Sequence, residues 1–559
     1  MFISPINPSI ATRKRLAAVI VAVAVIWPLV ANAFPVTVKV DAARAVAPLP
    51  PIWRFFGADE PNYATKPHGA KLLLELGALR PGQVYFRAHN LMTTGDGTPD
   101  FKWGSTNLYR EDGGKAVYDW SIIDQIIDTY VARGIHPYLE IGFMPQALTS
   151  APAAVPYRHE WKPGVAYKGI TAGWSYPPTD YAKWAEVVYQ WTRHNLARYG
   201  RTEVEQWYFE VWNEPNLDFY WVGRPEEFYR LHDHAIDAVR RALPTARVGG
   251  PDVAGAGGSF MDGFLVHVTR GTNYATGGVG TPTDFLSFHA KGQPAVVDGH
   301  VRMGIAAQLK TADEGFAKIA AVPALATKPI VIGENDPEGC AACQGPANAY
   351  RNGTMYSSYT AASYARLWAL ARRRHVNLEG ALSWSYTFVG QPWFAGYRQL
   401  ATNGVDLAVL NVFRLFAKLG EQQIAASSDG EVALDSIIAN GVRATPDVGV
   451  LATRTPAGKL SILLWHYHDD DVAGPEAELH LSLAGLSRTI GKARLWRVDH
   501  DHGNAFAVWQ KLGSPQAPTA SQIGQLVAAA KIHAVVVRLR RNEVDVRLPR
   551  QGVALLEIN

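Results

Sequence analysis

Eight short runs of aromatic, aliphatic and β-branched residues recur at 53–57, 84–87, 136–142, 207–212, 247–250, 285–289, 329–333 and 380–384, with helical periodicity between them. The intervening segments include YDWSIIDQIIDTYVARG, YAKWAEVVYQWTRHNLARYG and PEEFYRLHDHAIDAVRRAL. In the last of these, Phe228, Leu231, Ala235, Ile236 and Val239 fall at three- and four-residue steps, so one apolar stripe faces inward. Near-continuous apolar strands alternating with amphipathic helices require a parallel sheet covered by helices. Eight such units over about 375 residues predict an α/β chain folded as a (β/α)8 TIM barrel with enlarged loops. A doubly wound open sheet is the alternative, but it would place a Gly-rich phosphate turn after the first strand, and GADEPN at 57–62 is not one.

The pattern changes near Gly420. VALDSIIANG, VGVLATRTPAGKLSILLWHYH, AELHLSLAG, KARLWRVD and VDVRLPRQGVALLEIN alternate apolar and polar residues between tight turns, with one helical island, SQIGQLVAAAKI. They predict an accessory all-β sandwich formed by 421–559, joined by VTVKVDA within 34–43, with the barrel spanning 44–420. Before this lies a targeting pattern: RKR at 13–15, an apolar run at 16–30 and Ala31-Asn32-Ala33. The expectation is a signal peptide at 1–33 and export to the periplasm or the medium, with no membrane association after cleavage. The formal charge of +4 over 559 residues, with no basic run longer than ARRRH, argues against a nucleic-acid partner.

The two cysteines, Cys340 and Cys343, form a CxxC. Redox chemistry, half a zinc site and a local disulfide all fit that spacing; a second ligand pair is missing, and an exported chain favours the loop staple. HYHDDD at 466–471 and DHDH at 499–502 have metal-ligand composition but follow β strands, where polar turns are expected, so no metal and no cofactor is expected.

In a barrel, functional groups project from the C-terminal strand ends. Five strands here end in residues foreign to a core: Arg87-Ala88-His89-Asn90, Asn213-Glu214, His289-Ala290-Lys291, Glu334-Asn335-Asp336 and Trp384-Ser385-Tyr386. Strands four and seven lie across a barrel from one another, so Glu214 and Glu334 can face each other over a bound sugar. Carboxyl groups about 5–5.5 Å apart suit retaining glycoside hydrolysis. One must be protonated and the other ionised, and a neighbouring cation separates them. Arg87 is the expected neighbour of Glu334.

These residues carry a resemblance. WNEPN at 212–216 looks like the acid/base motif of clan A glycoside hydrolases. The 120-residue step to Glu334 (334 − 214), the strand ends FRAHN, SFHAKG and VIGEND, and the later segments VLNVFRLFAKLG and DHDHGNAFAVWQKLGSP resemble glycoside hydrolase family 39 of the bacterial β-xylosidase type, from about Ile52 to the C-terminus. The resemblance implies that Glu214 is the general acid/base and Glu334 the nucleophile. It implies that Asn213 binds the sugar 2-hydroxyl, that Arg87 and His289 orient the nucleophile, that His89 contacts sugar hydroxyls and that Trp384 stacks under the sugar, joined to Ser385 by a cis bond. The activity it implies is release of D-xylose from the non-reducing ends of xylo-oligosaccharides. An α-L-iduronidase-like activity is the nearest rival: Lys291 and Arg398 match positions that bind a uronate carboxylate, while SWSYTF lacks the aspartate used with them. A non-catalytic sugar-binding protein is the remote alternative. For a xylosidase, Tyr386, Phe388, Trp393 and Phe394 are expected to wall off the space beside C5, and Lys291 to bond a hydroxyl or a carboxylate.

Overall fold

The computed structural model describes residues 33–100, 102–159, 161–162, 171–486 and 489–558. The targeting pattern at 1–32 lies outside the described residues. Eight parallel strands close into a barrel: β1 (Phe55–Ala58), β2 (Val84–Ala88), β3 (Ile135–Ile141), β4 (Tyr208–Val211), β5 (Arg247–Val253), β6 (Phe285–His289), β7 (Pro329–Glu334) and β8 (Asn377–Tyr386), with β8 pairing back onto β1. Each overlaps one of the eight apolar runs.

The period of two along each strand sorts the barrel into layers. Phe56, Phe86, Leu139, Phe209 and Leu286 point outward into the helix-covered core. Phe55, Tyr85, Tyr138, Tyr208, Phe285, Val331 and Leu382 point inward and fill the barrel as a separate, mostly aromatic cluster that also takes Trp384. Two residues further along the same strands the inward positions become Gly57, Arg87, Glu140, Glu210 and Ser287. Gly57 is needed there, since a Cβ would come within 2.9 Å of the Trp384 ring. The barrel is therefore plugged by aromatics below and lined by charge above.

Apart from three two-stranded ribbons in the loops, the remaining strands among the described residues form one nine-stranded sheet. Its order is Val535–Arg538, Lys492–Val498, Val553–Ile558, Leu460–Tyr467, Asp447–Arg454, Gln422–Ser428, Phe34–Pro48, Ala477–Ala484 and Glu543–Leu548. Residues from strands at both ends of that order, Leu495 and Val546 among them, share one apolar core, so the sheet folds over on itself as a sandwich. The strand Phe34–Pro48 reaches past 43 into the expected barrel span and pairs through Pro48 with Gln422.

Leu460–Tyr467 is buried on both faces: Leu460, Ile462 and Leu464 face the sandwich core, and Leu463, Trp465 and Tyr467 face the barrel side. The barrel helix Thr354–Arg374 packs on that second face, where Arg366 holds Asp447 through bonds of 2.7 and 2.8 Å. HYHDDD serves this joint. Asp470 pairs with Arg302 at 2.5 and 3.0 Å, and the Asp469 carbonyl accepts from the Met303 amide. In DHDH, the Asp499 carboxylate accepts from the Asp501 amide and binds His502 at 2.7 Å, closing a turn. The helical island is Ala520–Ala529; a second helix, Ala505–Lys511, falls in a segment without strong helical periodicity, and the strand expected in VALDSIIANG is corrected to a helix, Leu434–Asn440.

Candidate active site

Asn213 and Glu214 follow β4 on a constrained turn. Trp212 and Glu214 have φ of 73° and 45°, a left-handed conformation that costs of order 1–3 kcal/mol per non-glycine residue and persists where the surroundings enforce it. They do so here: Trp212 Nε1 donates to the Tyr220 carbonyl at 3.0 Å, and the Glu214 amide donates to the Asp252 carbonyl at 2.9 Å. The turn aims Glu214 across the barrel mouth at Glu334, which ends β7. Glu214, His289 and Glu334 each place one nitrogen or carboxylate oxygen within 4.8 Å of the others.

Charge in this region is stacked in two tiers. The lower tier centres on Arg87, which pairs with Glu140 at 2.8 Å, Glu210 at 2.6 Å and Asp252, and donates to Asn213 Oδ1 at 3.2 Å. Tyr138 and Ser287 add hydroxyl donors to Glu210. All these charged groups are fully buried. The expected Arg87–Glu334 pairing is corrected: Arg87 lies one inward position below His89 on β2, and its guanidinium is taken up by the three lower carboxylates.

The upper tier holds Glu214 and Glu334. Lys291 Nζ bridges them at 2.8 Å from Glu214 and 3.0 Å from Glu334. Arg398, from the loop after β8, donates to Glu334 at 2.8 Å. Two histidines join the tiers. His89 lies 2.5 Å from Glu140 below and 3.6 Å from Glu334 above. His289 lies 2.7 Å from Asp252 below and 2.7 Å from Glu214 above, with Glu334 at 3.7 Å, so the acid/base candidate rather than the nucleophile candidate is its nearer partner.

Burial favours the neutral imidazole of both histidines, but Glu140 beside His89 and Asp252 beside His289 outweigh it and push each up to about 9. Burial likewise favours neutral carboxyls, yet Lys291 and His289 hold Glu214 down at about 2, and Lys291, Arg398 and His289 hold Glu334 well below the carboxylate range. In the free protein both glutamates are thus ionised. The cluster has the donor set of a cation site, but the Lys291 ammonium already stands between the two carboxylates.

Asn213 keeps an unpartnered Nδ2 inside this buried cluster, a donor available to a sugar hydroxyl. Trp384 lies fully buried at the floor, with the Arg398 guanidinium 4.9 Å from its ring centre and the His89 ring 5.0 Å away. The cis bond expected at Trp384–Ser385 is corrected: the cis peptides among the described residues are Gly142–Phe143 and Gly250–Pro251.

The cleft above, about 650 Å³, is lined by Trp103, Trp161, Leu217, Phe219, Tyr220 and the loop 339–344. Two of the expected C5 walls are corrected. Tyr386 is buried against Phe86 and Tyr63, and Phe394 against Phe506 and Trp509, because the chain after β8 turns back into the helix layer. Phe388 borders Trp161 and Tyr397. Cys340 and Cys343 form a disulfide in the cleft loop. That loop holds Arg398 by its backbone: the carbonyl of Glu338 accepts from Arg398 Nη1, and that of Ala341 from the Arg398 amide, both at 3.0 Å.

Sequence reasoning passed over Glu140, Glu210, Asp252, Asp59 and Lys102. Lys102 pairs with Asp59 at 2.8 Å beside the cleft. The first two carried a signal, a carboxylate inside an apolar strand two residues after an inward tyrosine. Asp336, accepting from Tyr356, Ser383 and the Trp384 amide, fixes the end of β8.

Comparison with known proteins agrees with this architecture. The family described as "Glycosyl hydrolases family 39" matches residues 36–546. A β-xylosidase of Geobacillus stearothermophilus is 25% identical over 501 residues, 85% of this chain and 86% of its own. An α-L-iduronidase of Mus musculus is 26% identical over 541 residues, 89% of this chain and 76% of its own. The crystal structure of a monomeric β-xylosidase from Caulobacter crescentus CB15 superposes with a TM-score of 0.71 at 22% identity, over 93% of this chain and 99% of that one, a likeness of fold. With the family match running through barrel and sandwich alike, this chain belongs to glycosyl hydrolases family 39.

Proposed function

We propose that this family 39 glycoside hydrolase is an exported retaining β-xylosidase that releases D-xylose from the non-reducing ends of xylo-oligosaccharides by double displacement. The observation that carries the mechanism is the approach of Glu214 and Glu334 to within 4.8 Å across the barrel mouth. That gap is too narrow to seat a water between carboxylate and sugar and suits direct attack by one carboxylate. In this reading Glu334, kept ionised by Arg398, attacks the anomeric carbon. Glu214 protonates the leaving oxygen and then activates the water that releases the sugar. Asn213 Nδ2 bonds the 2-hydroxyl. The similarity to β-xylosidases supports the glycone, and the 1–33 pattern supports export.

A second reading has a specific observation behind it. Lys291, Arg398 and Lys102 gather around the cleft, and a buried sugar carboxylate needs such cations. Phenyl β-xyloside and phenyl α-L-iduronide separate the two: turnover of the xyloside is expected to lead by at least ~100-fold. The reverse ranking overturns the glycone. Proton NMR of the first-released sugar, expected with retained anomeric configuration, tests the mechanism independently.

A further inference from the structure

Lys291 stands where the reaction has to happen. In double displacement the anomeric carbon lies against Glu334 and the glycosidic oxygen against Glu214. An ammonium 2.8 Å from Glu214 Oε1 and 3.0 Å from Glu334 Oε2 ties one oxygen of each carboxylate together in the gap that the glycone has to enter. Sugar and ammonium cannot share the place.

We propose that Lys291 is a positioning residue whose ammonium holds the two glutamates together in the free enzyme, and that the glycone displaces it before Glu214 can take up the proton it gives to the leaving group. The inference rests on the assignment of Glu214 as acid and Glu334 as nucleophile.

The surroundings say which group moves. His289 also binds Glu214, but it is fully buried and pinned below by Asp252 at 2.7 Å. Arg398 is held by the carbonyls of Glu338 and Ala341. The Lys291 side chain is 18% exposed, swings on four methylenes, and borders Gly339, where even an added Cβ would stay 3.6 Å from Nζ. It is the upper-tier cation free to leave. Once displaced, it needs an oxygen acceptor, which the glycone supplies; a sugar lacking one at that position leaves an unpaired buried ammonium and is selected against.

The charges facing Glu214 make the displacement a protonation step. They are His289 and Lys291 from β6 and its extension, Glu334 from β7, Arg398 after β8, Asp252 on β5 behind His289, His89 just past β2, and Lys102 with Asp59 on the rim. With Lys291 in place the local cations keep Glu214 ionised. When the ammonium moves off, one neutralising charge is lost, two carboxylates face each other, and Glu214 takes one proton from solvent. No covalent bond changes in this step.

The test is the pH dependence of phenyl β-xyloside hydrolysis, a leaving group basic enough to need the acid. The basic limb of kcat/KM reports Glu214 in the free enzyme, and that of kcat reports it in the complex. In the wild type the kcat limb is expected at least ~1 pH unit above the kcat/KM limb. In Lys291→Met the kcat/KM limb is expected to rise toward the kcat limb, which itself moves little; Lys291→Arg is expected to restore the wild-type separation. Coincident limbs in the wild type overturn the proposal without any variant. Equal movement of both limbs in Lys291→Met also overturns it, because the lysine would then still sit on Glu214 in the complex. If the wild type ignores the xyloside and cleaves phenyl α-L-iduronide, the glycone reading fails and the same profile on the iduronide decides the role of Lys291.

Discussion

The two tiers of buried charge are built from the same residue types and behave differently. In the lower tier, Arg87 meets three carboxylates and every group is sealed from solvent. In the upper tier, Lys291 is shared between two carboxylates and touches the cleft. A cluster sealed from solvent on every side is a framework. A cluster with a shared and partly exposed cation can change partners, which a site that must move protons requires.

The largest expected effect comes from the upper tier. Glu334→Ala should lower kcat/KM by on the order of 10⁴-fold, with the melting temperature nearly unchanged. Glu214→Ala should also lose most activity, and azide should partly rescue only that variant, giving a glycosyl azide of retained configuration. Azide rescue of Glu334→Ala with retention would exchange the two roles.

The lower tier should fail in the opposite way. Arg87→Met strands three buried carboxylates, and about 3–5 kcal/mol of stability should be lost in urea unfolding. Lys291→Met should cost clearly less stability, since Glu214 can protonate in compensation. If the two variants rank the other way, the division into framework and working tier collapses.

The histidines linking the tiers give a pH signature. Their folded pKa values near 9 lie above the unfolded value of about 6.5, so their contribution is complete below pH 6.5 and is lost as pH rises through about 9. Urea midpoints from pH 6 to 10 should therefore fall more steeply for the wild type than for His289→Asn. Parallel curves would mean that His289 is neutral in the folded protein.

The smallest expected effect is on the cleft loop. The Cys340–Cys343 bridge closes only a short loop, so reducing it should barely move the melting temperature. It should nonetheless lower kcat/KM several-fold, because the same loop presents the carbonyls that hold Arg398 on Glu334. A stability loss without an activity change would separate the loop from the upper tier.

All eight barrel strands were legible because parallel strands are buried on both faces and read as unbroken apolar runs. Polar residues at their ends then identified Asn213, Glu214, His289, Lys291 and Glu334 as one cluster. What was illegible depended on depth and on loops. Arg87 and His89 both point inward, but two residues of strand rise put one below the other, and a linear sequence does not say which tier Glu334 shares. The aromatics at 386–394 have the composition of cleft walls, yet whether a loop turns toward the mouth or back into the core is set by long-range packing. Trp103, Phe219 and Tyr220 took that place instead. HYHDDD resembled a metal site because a domain joint also needs clustered carboxylates and imidazoles.

The position of Phe34–Pro48 inside the nine-stranded sheet has a consequence in time. Val38 pairs with Ser428, 390 residues later (428 − 38). At about 5–20 residues per second, synthesis alone separates the two strands by roughly 20–80 s. Its parallel partner, Ala477–Ala484, is made later still. The barrel can assemble while this strand waits with both edges open, so the sandwich is expected to form last, and an unpaired segment carrying Val36, Val38 and Val40 is what a chaperone would meet first.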